Sequence, residues 1–324
     1  MAGTIARLLG RHAVLVALGL LILFGALRYE HFLGWFNVTS LLRYNALFAL
    51  VALGMCFVIM TGGIDLSVGS VAALGSVVAA LLSAQGVVPA VAGGVAAGLA
   101  VGALNGALVA RLGIAPFVTT LATMLGASGL ALLLADNQTV SVSYDTGFVE
   151  IGQGDVLGFP VPAWIALFAY LGGAVVLHLT AFGRTVLAVG GNEDATRLMG
   201  LPAGRVVFLV YVGSGGLAGL AGVLLAAQFG AGQPIEGAGW ELFAIAATVV
   251  GGTLLTGGVG SVGGTLAGVL LLGLIFNILN FENGRGAISL TVYWQSVIRG
   301  AFLLVVVVLQ ARLATARGAP FAAR

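Results

Sequence analysis

The sequence predicts an all-α, polytopic membrane protein with about ten transmembrane helices and a short cytoplasmic helix between two of them. Hydrophobic residues make up 60% of the chain and charged residues only 7%, whereas a soluble domain needs roughly a quarter of its residues charged. Apolar runs recur along the whole length, each near the ~20 residues that cross a bilayer as a helix. They do not alternate with the period of two that barrel strands require, so helical spans are expected.

Ten apolar runs define the predicted spans. The first run follows Arg7 and Arg11, as in a signal peptide, but no small-x-small cleavage site comes after it, so an uncleaved span is expected. The spans are 13–29, 41–60, 66–85, 89–110, 117–135, 162–180, 206–228, 242–257, 262–281 and 291–311.

Arginine placement orients these spans. All 13 basic residues are Arg, and with both termini in the cytoplasm nine lie on the inner side and three on the outer side, as the positive-inside rule expects. The outer loop 136–161 carries four acidic residues and no Arg, and the inner segment 181–205 is the other long stretch outside the membrane. Neither could form a soluble domain, so residues 1–324 are predicted to form a single transmembrane domain.

Glycines recur every four residues at 94–106 and at 260–268. Small residues at this spacing share a helix face and let a neighbouring backbone come close, so tight packing accounts for most of them. The sequence FVIMTGG at 57–63 also resembles GTLLTGG at 252–258. Such an echo suits a transporter with two related halves, although a match this short can arise by chance.

The sequence TGGIDLSVGS at 61–70 interrupts two apolar runs. Gly62 and Gly63 can end one helix, and Asp65 or Ser67 can cap the next by accepting backbone N–H groups. The alternative is that Asp65 lines a translocation path or a subunit contact, because ionisable groups at membrane depth are costly and often functional. The two roles are compatible.

The inner segment 182–200 has the pattern of a capped amphipathic helix. Asn192 suits the N-cap, acidic residues follow it in the first turn, and Gly200 suits the C-terminal end. Leu198 and Met199 would then present an apolar surface beside Arg197. The segment is either a bare connector or a docking site for a cytoplasmic partner.

Four ordered motifs together resemble one protein family. The 61–70 segment looks like the signature segment of the permeases of sugar-uptake ABC transporters, in the branch for ribose, xylose, arabinose and galactofuranose. Segment 183–201 resembles their cytoplasmic coupling segment, and the blocks at 251–265 and 292–300 resemble their last two motifs in order and spacing. The 251–265 block looks closest to the galactofuranose type.

The resemblance implies a bacterial inner-membrane subunit that encloses a monosaccharide pathway with a second permease subunit, in a homodimer or a heterodimer. A periplasmic sugar-binding protein would deliver the substrate, and a separate ATPase would bind ATP and Mg²⁺. The residues expected to couple to that ATPase are Asn192, Glu193, Asp194, Ala195, Arg197, Leu198, Met199 and Gly200. The family often begins this segment with an acidic residue followed by two alanines, whereas this chain has Glu193, Asp194 and Ala195. The contact residues therefore carry over only approximately.

Composition argues against several other classes. A Walker A loop needs a Lys, and the chain has none, so it is expected to be non-catalytic and to hold no cofactor of its own. His12, His31 and His178 lie far apart near span ends, without the spacing of metal ligands. No basic patch suggests nucleic acid.

The residues that meet the sugar are less constrained. A sugar needs hydrogen-bonding side chains along a mostly apolar path, but for each candidate an interhelical hydrogen bond is the simpler role. The pathway candidates are Asp65, Ser67, Asn105, Thr119, Thr123, Gln228, Glu241 and Asn277, with Thr120 and Asn280 beside them.

Two alternatives stay open at this point. An ion-coupled secondary transporter would need intramembrane ionisable groups, for which only Asp65 and Glu241 qualify. ABC permeases for branched-chain amino acids or nucleosides are related proteins, although the 61–70 segment favours sugar.

Overall fold

The computed structural model describes residues 13–284, 294, 297, 298, 300 and 301, and most of these residues are helical. The helices are α1 (Ala13–Arg28), α2 (Trp35–Met60), α3 (Val68–Leu82), α4 (Val87–Leu112), α5 (Pro116–Leu134), α6 (Glu150–Gln153), α7 (Val161–Leu179), α8 (Ala181–Gly191), α9 (Glu193–Leu198), α10 (Ala203–Phe229), α11 (Trp240–Val250) and α12 (Val262–Gly284). The strands are β1 (Val140–Ser141), β2 (Asp155–Val156), β3 (Phe159–Pro160) and β4 (Ala231–Gly232), in the antiparallel pairs β1–β4 and β2–β3.

Seven of the described helices are long and apolar enough to cross a membrane: α2, α3 with the short 3-10 turn that follows it, α4, α5, α7, α10 and α12. The helices α1 and α11 are apolar but shorter. The predicted all-α polytopic fold is therefore confirmed. The tenth predicted span, 291–311, falls mostly outside the described residues, as does the motif at 292–300.

The eighth predicted span, 242–257, is wrong as a full span. Helix α11 has 11 residues, about 16 Å at 1.5 Å per residue. The helix stops before Gly252, which has a φ of +93°. Glycine adopts this left-handed conformation easily, and a residue in it ends a helix. Beyond it the chain folds into a loop in which the Leu254 N–H donates to the Val259 carbonyl (3.1 Å). The predicted span was too long because the loop carries no charged residue that would interrupt the apolar run.

The chain forms two compact units. One combines the described residues up to 32 with those from 270 onward, and the other is Leu33–Val269. In the first unit the Tyr29 hydroxyl donates to the Glu282 carboxylate (2.6 Å), and Arg28 forms an ion pair with the same carboxylate (3.5 Å).

In the second unit, α4 and α10 pack antiparallel through their backbones. A Cβ at Gly106 would lie 2.7 Å from the Phe208 carbonyl oxygen, and a Cβ at Gly98 would lie 2.9 Å from the Cα of Gly219. The α4 glycines thus have the packing role predicted for them. This register sets the C-terminal end of α4 beside the N-terminal end of α10.

Candidate functional site

The segment predicted to face the cytoplasm contains two helices, α8 and α9, where one was expected. The Thr180 side chain caps α8 by accepting from the Gly183 N–H (3.2 Å). Asn192 separates the two helices and caps α9 by accepting from the Ala195 N–H (2.8 Å). The predicted N-cap is confirmed, and it satisfies one of the N–H groups that the first turn leaves unpaired.

Helix α9 ends in a Schellman motif. Gly200 has a φ of +77°, and its N–H donates to the Arg197 carbonyl (3.0 Å) while the Leu201 N–H donates to the Thr196 carbonyl (3.2 Å). A left-handed glycine is the usual partner in this motif, so the predicted terminating role of Gly200 is confirmed. With both ends capped, even this short helix has a defined conformation.

Helix α9 presents an apolar tip. Leu198 is 89% exposed and Met199 is 66% exposed, whereas Thr196 is buried beneath them. Arg197 forms an ion pair with Glu193 one turn earlier (2.6 Å). All eight predicted coupling residues except Ala195 are exposed. Large apolar side chains held out from a rigid element are typical of an interaction surface.

Gly190, at the end of α8, contacts two loops of the bundle. A Cβ at Gly190 would overlap the Met60 carbonyl and press on the Gly258 N–H. The Gly258 N–H donates to that same Met60 carbonyl (2.9 Å), and a Cβ at Gly257 would lie 2.8 Å from the Gly62 nitrogen. The two TGG sequences of the internal echo therefore meet at the C-terminal end of α8. We call this contact the glycine junction.

The first break in the bundle is the segment 61–67, between α2 and α3. One Asp65 carboxylate oxygen accepts from the Ser67 N–H (3.0 Å) and the Ser67 hydroxyl (2.6 Å). The other oxygen accepts from the Ser214 hydroxyl (2.9 Å). Asp65 is fully buried and stabilises the turn that enters α3 through the N–H of Ser67, but it accepts from no N–H group within the helix, which has no side-chain cap. Ser67 makes no side-chain cap, and a pathway role for Asp65 stays a prediction.

Asp65 belongs to a chain of polar side chains that joins α3, α4, α5 and α10. The Asn105 amide donates to the Ser67 hydroxyl (2.9 Å), and the Thr123 hydroxyl donates to the Asn105 amide oxygen (2.7 Å). Four of the predicted pathway residues are thus brought together. They bond to one another, which is the interhelical role weighed against sugar contact.

The other pathway candidates do not take part in this chain of hydrogen bonds. The Thr120 hydroxyl donates to the Ile64 carbonyl (3.2 Å), while the buried Thr119 hydroxyl and the Gln228 amide oxygen have no hydrogen-bond partner in the described part of the chain. Gln228 is in the last turn of α10, and Glu241 is in the first turn of α11. Asn277 and Asn280 lie on α12, in the compact unit that resumes at residue 270.

The second break is the segment 230–239, between α10 and α11. The Gln233 N–H donates to the Ser76 hydroxyl (3.0 Å), and a Cβ at Gly237 would contact the Gly69 carbonyl. Ser76 and Gly69 are about two turns apart on α3. The segment therefore runs alongside α3 as non-helical backbone for much of the length of that helix.

Helix α11 begins halfway along α2. The Trp240 ring lies 4.8 Å from the ring of Phe48, near the middle of the 26 residues of α2. Each end of α2 is therefore about 20 Å away. Further along, the Thr248 hydroxyl lies 3.4 Å from the Ala52 carbonyl, so α11 follows the second half of α2. Because α2 is long enough to span a bilayer, α11 starts near the middle of the membrane.

Glu241 lies where the start of α11 meets the start of α3, the two helices that follow the breaks. A Cβ at Gly69, near the start of α3, would lie 3.0 Å from a Glu241 carboxylate oxygen. Glu241 is half-buried, and Glu236 on the adjoining segment is exposed. Non-helical backbone at membrane depth is tolerated only inside protein or along a water-filled cavity. One exposed and one half-buried carboxylate at this depth favour the second setting.

Three residues of this region were missed from the sequence. Ser214 lies in a run of small residues that reads as ordinary packing, and only its bond to Asp65 distinguishes it. For Gly190 a signal existed, since two adjacent glycines end a helix just before an N-cap. Glu236 also gave a signal, an acid between two apolar runs, but the stretch reads as an exposed loop when chain depth is unknown.

One family model matches most of the chain, over residues 37–307; its description is branched-chain amino acid transport system / permease component. The chain belongs to this family. The permease is 42% identical over 297 residues to the ribose import permease protein of Bacillus subtilis (strain 168), covering 91% of this chain and 90% of that one. It is 36% identical over 304 residues to the L-arabinose transport system permease protein of Escherichia coli (strain K12), covering 93% and 90%. No solved structure matches the chain.

These relatives confirm the family resemblance that the ordered motifs predicted. The permease is a non-catalytic, multi-pass transmembrane subunit of an ABC importer. The finer likeness of the 251–265 block to the galactofuranose type stays a prediction.

Proposed function

We propose that the permease, with a second permease subunit, forms the translocation pathway of an ATP-driven monosaccharide importer. The observation that carries the proposal is the 42% and 36% identity, over nine-tenths of the chain, to permeases named for ribose and L-arabinose. The substrate class is accordingly a pentose. Family membership favours this over the ion-coupled alternative.

The importer needs two further components. A periplasmic binding protein delivers the sugar to the outer face, and a separate ATPase binds ATP and Mg²⁺ on the inner face, because a chain without Lys has no Walker A loop. The permease lies in the bacterial inner membrane with both termini in the cytoplasm, an orientation supported by its Arg distribution.

The ATPase docks on α9. The capped ends hold this helix in one conformation, and Leu198 and Met199 offer an apolar tip that a groove on the partner can enclose. Helix-in-groove contacts of this kind take their affinity from a few anchoring side chains. The eight coupling residues predicted from the sequence provide this contact.

The glycine junction passes motion from α9 to the bundle. At Gly190 the backbone of α8 rests directly on the loops that follow α2 and α11. No flexible side chain intervenes, so a displacement of α8 and α9 must move both loops. Both broken helices are thereby linked to the site of ATP hydrolysis.

The sugar passes Glu241 and Glu236. Both carboxylates lie beside non-helical backbone near the middle of the membrane, where broken helices commonly form transporter binding sites. Carboxylate oxygens accept hydrogen bonds from sugar hydroxyls. The hydrogen bonds among Asp65, Ser67, Asn105 and Thr123 hold the start of α3, against which this segment packs.

The proposal is tested by reconstituting the permease in vesicles with its ATPase and binding protein. We expect uptake of D-ribose or L-arabinose that requires ATP, and no uptake by the permease alone under a proton or sodium gradient. Leucine serves as the second substrate, because the family description names branched-chain amino acids. Uptake of leucine instead of pentose would reassign the substrate, and gradient-driven uptake without the ATPase would refute the proposal.

A further inference from the structure

Two arginines share a pocket at the end of the α4–α10 helix pair. The pocket has a volume of about 440 Å³, and it is lined by Arg111, Arg205, Phe208 and Leu209 together with Ala110 and Gly204. Both arginines are exposed. The antiparallel register of the two helices explains the meeting, since one arginine ends α4 and the other begins α10.

No acidic residue neutralises these two charges. The ion pairs in the described part of the chain are Arg28–Glu282, Arg43–Asp155 and Arg197–Glu193. All 11 acidic residues of the sequence lie between residues 13 and 284, so no acidic side chain in the rest of the chain can serve. The Arg111 guanidinium is 5.5 Å from the centre of the Phe208 ring, a cation–π contact that leaves its N–H edges available.

The surroundings of the pair are apolar. Leu112 next to it is 68% exposed and Leu209 is 43% exposed. Leu209 also lines a second cavity of about 210 Å³ between α2, α7, α8 and α10. Its walls are almost entirely apolar and include Phe57, Val176 and Leu217. A single amphiphilic molecule can therefore place an anion between the arginines and a hydrocarbon chain in the adjoining cavity.

We propose that Arg111 and Arg205 bind the phosphate of an anionic phospholipid of the inner leaflet. Guanidinium groups match the geometry of phosphate oxygens, and basic pockets between transmembrane helices on the cytoplasmic side bind anionic headgroups. A free phosphate ion would use the same two cations but would leave the apolar cavity unfilled. The adjoining cavity therefore favours the lipid.

The test measures the lipid that the purified permease retains from vesicles of phosphatidylglycerol and phosphatidylcholine in equal parts, by native mass spectrometry. We expect the unsubstituted protein to retain phosphatidylglycerol preferentially, and each arginine removed to lower that retention about fivefold. The variants are Arg205→Gln and Arg111→Gln/Arg205→Gln. The control is Arg184→Gln, an exposed α8 arginine outside the pocket, which should retain lipid like the unsubstituted protein.

Several outcomes would overturn the lipid site. Unchanged retention in both variants, or equal losses in the Arg184→Gln control, would show that the pocket does not select lipid. Displacement of phosphatidylglycerol by excess inorganic phosphate would assign the site to a free anion. Loss of ATPase binding with lipid retention unchanged would assign the arginines to the partner protein. If the double variant does not purify as a folded protein, Arg205→Gln alone decides.

Discussion

At the scale of single residues, Asp65 shows how one buried carboxylate can organise several helices. Its three accepted hydrogen bonds come from Ser67 and from Ser214 on α10, and Ser67 in turn binds Asn105. The helical hydrogen bonds of segment 61–67 lie at its two ends, where the Thr61 N–H donates to the Phe57 carbonyl (3.3 Å) and the Ser67 carbonyl accepts from the Val71 N–H (2.8 Å). The side-chain bonds therefore replace the backbone ladder that the break removes.

Replacing Asp65 with Ala should destabilise the permease more than replacing Ser214 with Ala. Asp65→Ala leaves the Ser67 N–H and the hydroxyls of Ser67 and Ser214 without their acceptor, and each buried group left unsatisfied costs about 1–3 kcal/mol. Ser214→Ala removes only one donor to one carboxylate oxygen of Asp65. Thermal unfolding in detergent would measure the difference. Equal midpoints for the two variants would contradict the role given to Asp65.

At the scale of elements, the glycine junction makes a contact that no larger residue can make. Gly190 touches the backbone of two loops, whereas a Cβ at its neighbour Gly191 would meet nothing within 4 Å. The two positions are adjacent in one helix and chemically identical. They form a natural matched pair.

Gly190→Ala should impair the permease, and Gly191→Ala should be tolerated. Inserting a methyl group against rigid backbone costs about 1–3 kcal/mol, and the strain falls on the path from α9 to the bundle. The measurement is ATP-dependent uptake together with the unfolding midpoint for both variants. Uptake that is normal in Gly190→Ala would remove the junction from the coupling path.

The apolar tip of α9 carries the second prediction at this scale. Leu198→Asp/Met199→Asp should abolish ATPase binding and uptake while the protein still reaches the membrane, because two charges cannot enter an apolar groove without a large desolvation cost. Co-purification of the ATPase checks this. Leu157→Asp, an equally exposed leucine in the loop between β2 and β3, is the control and should keep the ATPase bound. Undiminished uptake in the double variant would exclude docking at α9.

At the scale of the whole molecule, two helix breaks converge near the middle of the membrane. Helix α3 begins beside Asp65, and α11 begins beside Glu241, with Gly69 and Gly237 in backbone contact between them. The first break is buried among polar side chains, while the second exposes Glu236. This difference distinguishes a structural break from one that can face water.

Cysteine labelling tests whether water reaches Glu241. The only native cysteine, Cys56, is buried, so Glu241→Cys can be probed with a charged methanethiosulfonate reagent, which reacts with the thiolate form. We expect rapid labelling that transported pentose slows and that blocks uptake. Phe168→Cys, on the apolar exposed face of α7, should stay unlabelled because a thiol in lipid does not ionise. Equal rates at the two positions would place Glu241 outside the pathway.

The sequence by itself determined the membrane-spanning helical class, the caps of α9 and the family, and from Arg placement it predicts an orientation. These features depend on composition or on residues a few positions apart, which local chemistry governs. The tertiary structure alone decided that α11 is a half-length helix, that the two TGG sequences meet at Gly190, and that Asp65 is enclosed while Glu241 lies at an open break. Each depends on which distant backbone approaches a given residue. In a chain this rich in apolar residues and glycine, hydropathy cannot tell where a helix ends and an uncharged loop packed at the same depth begins.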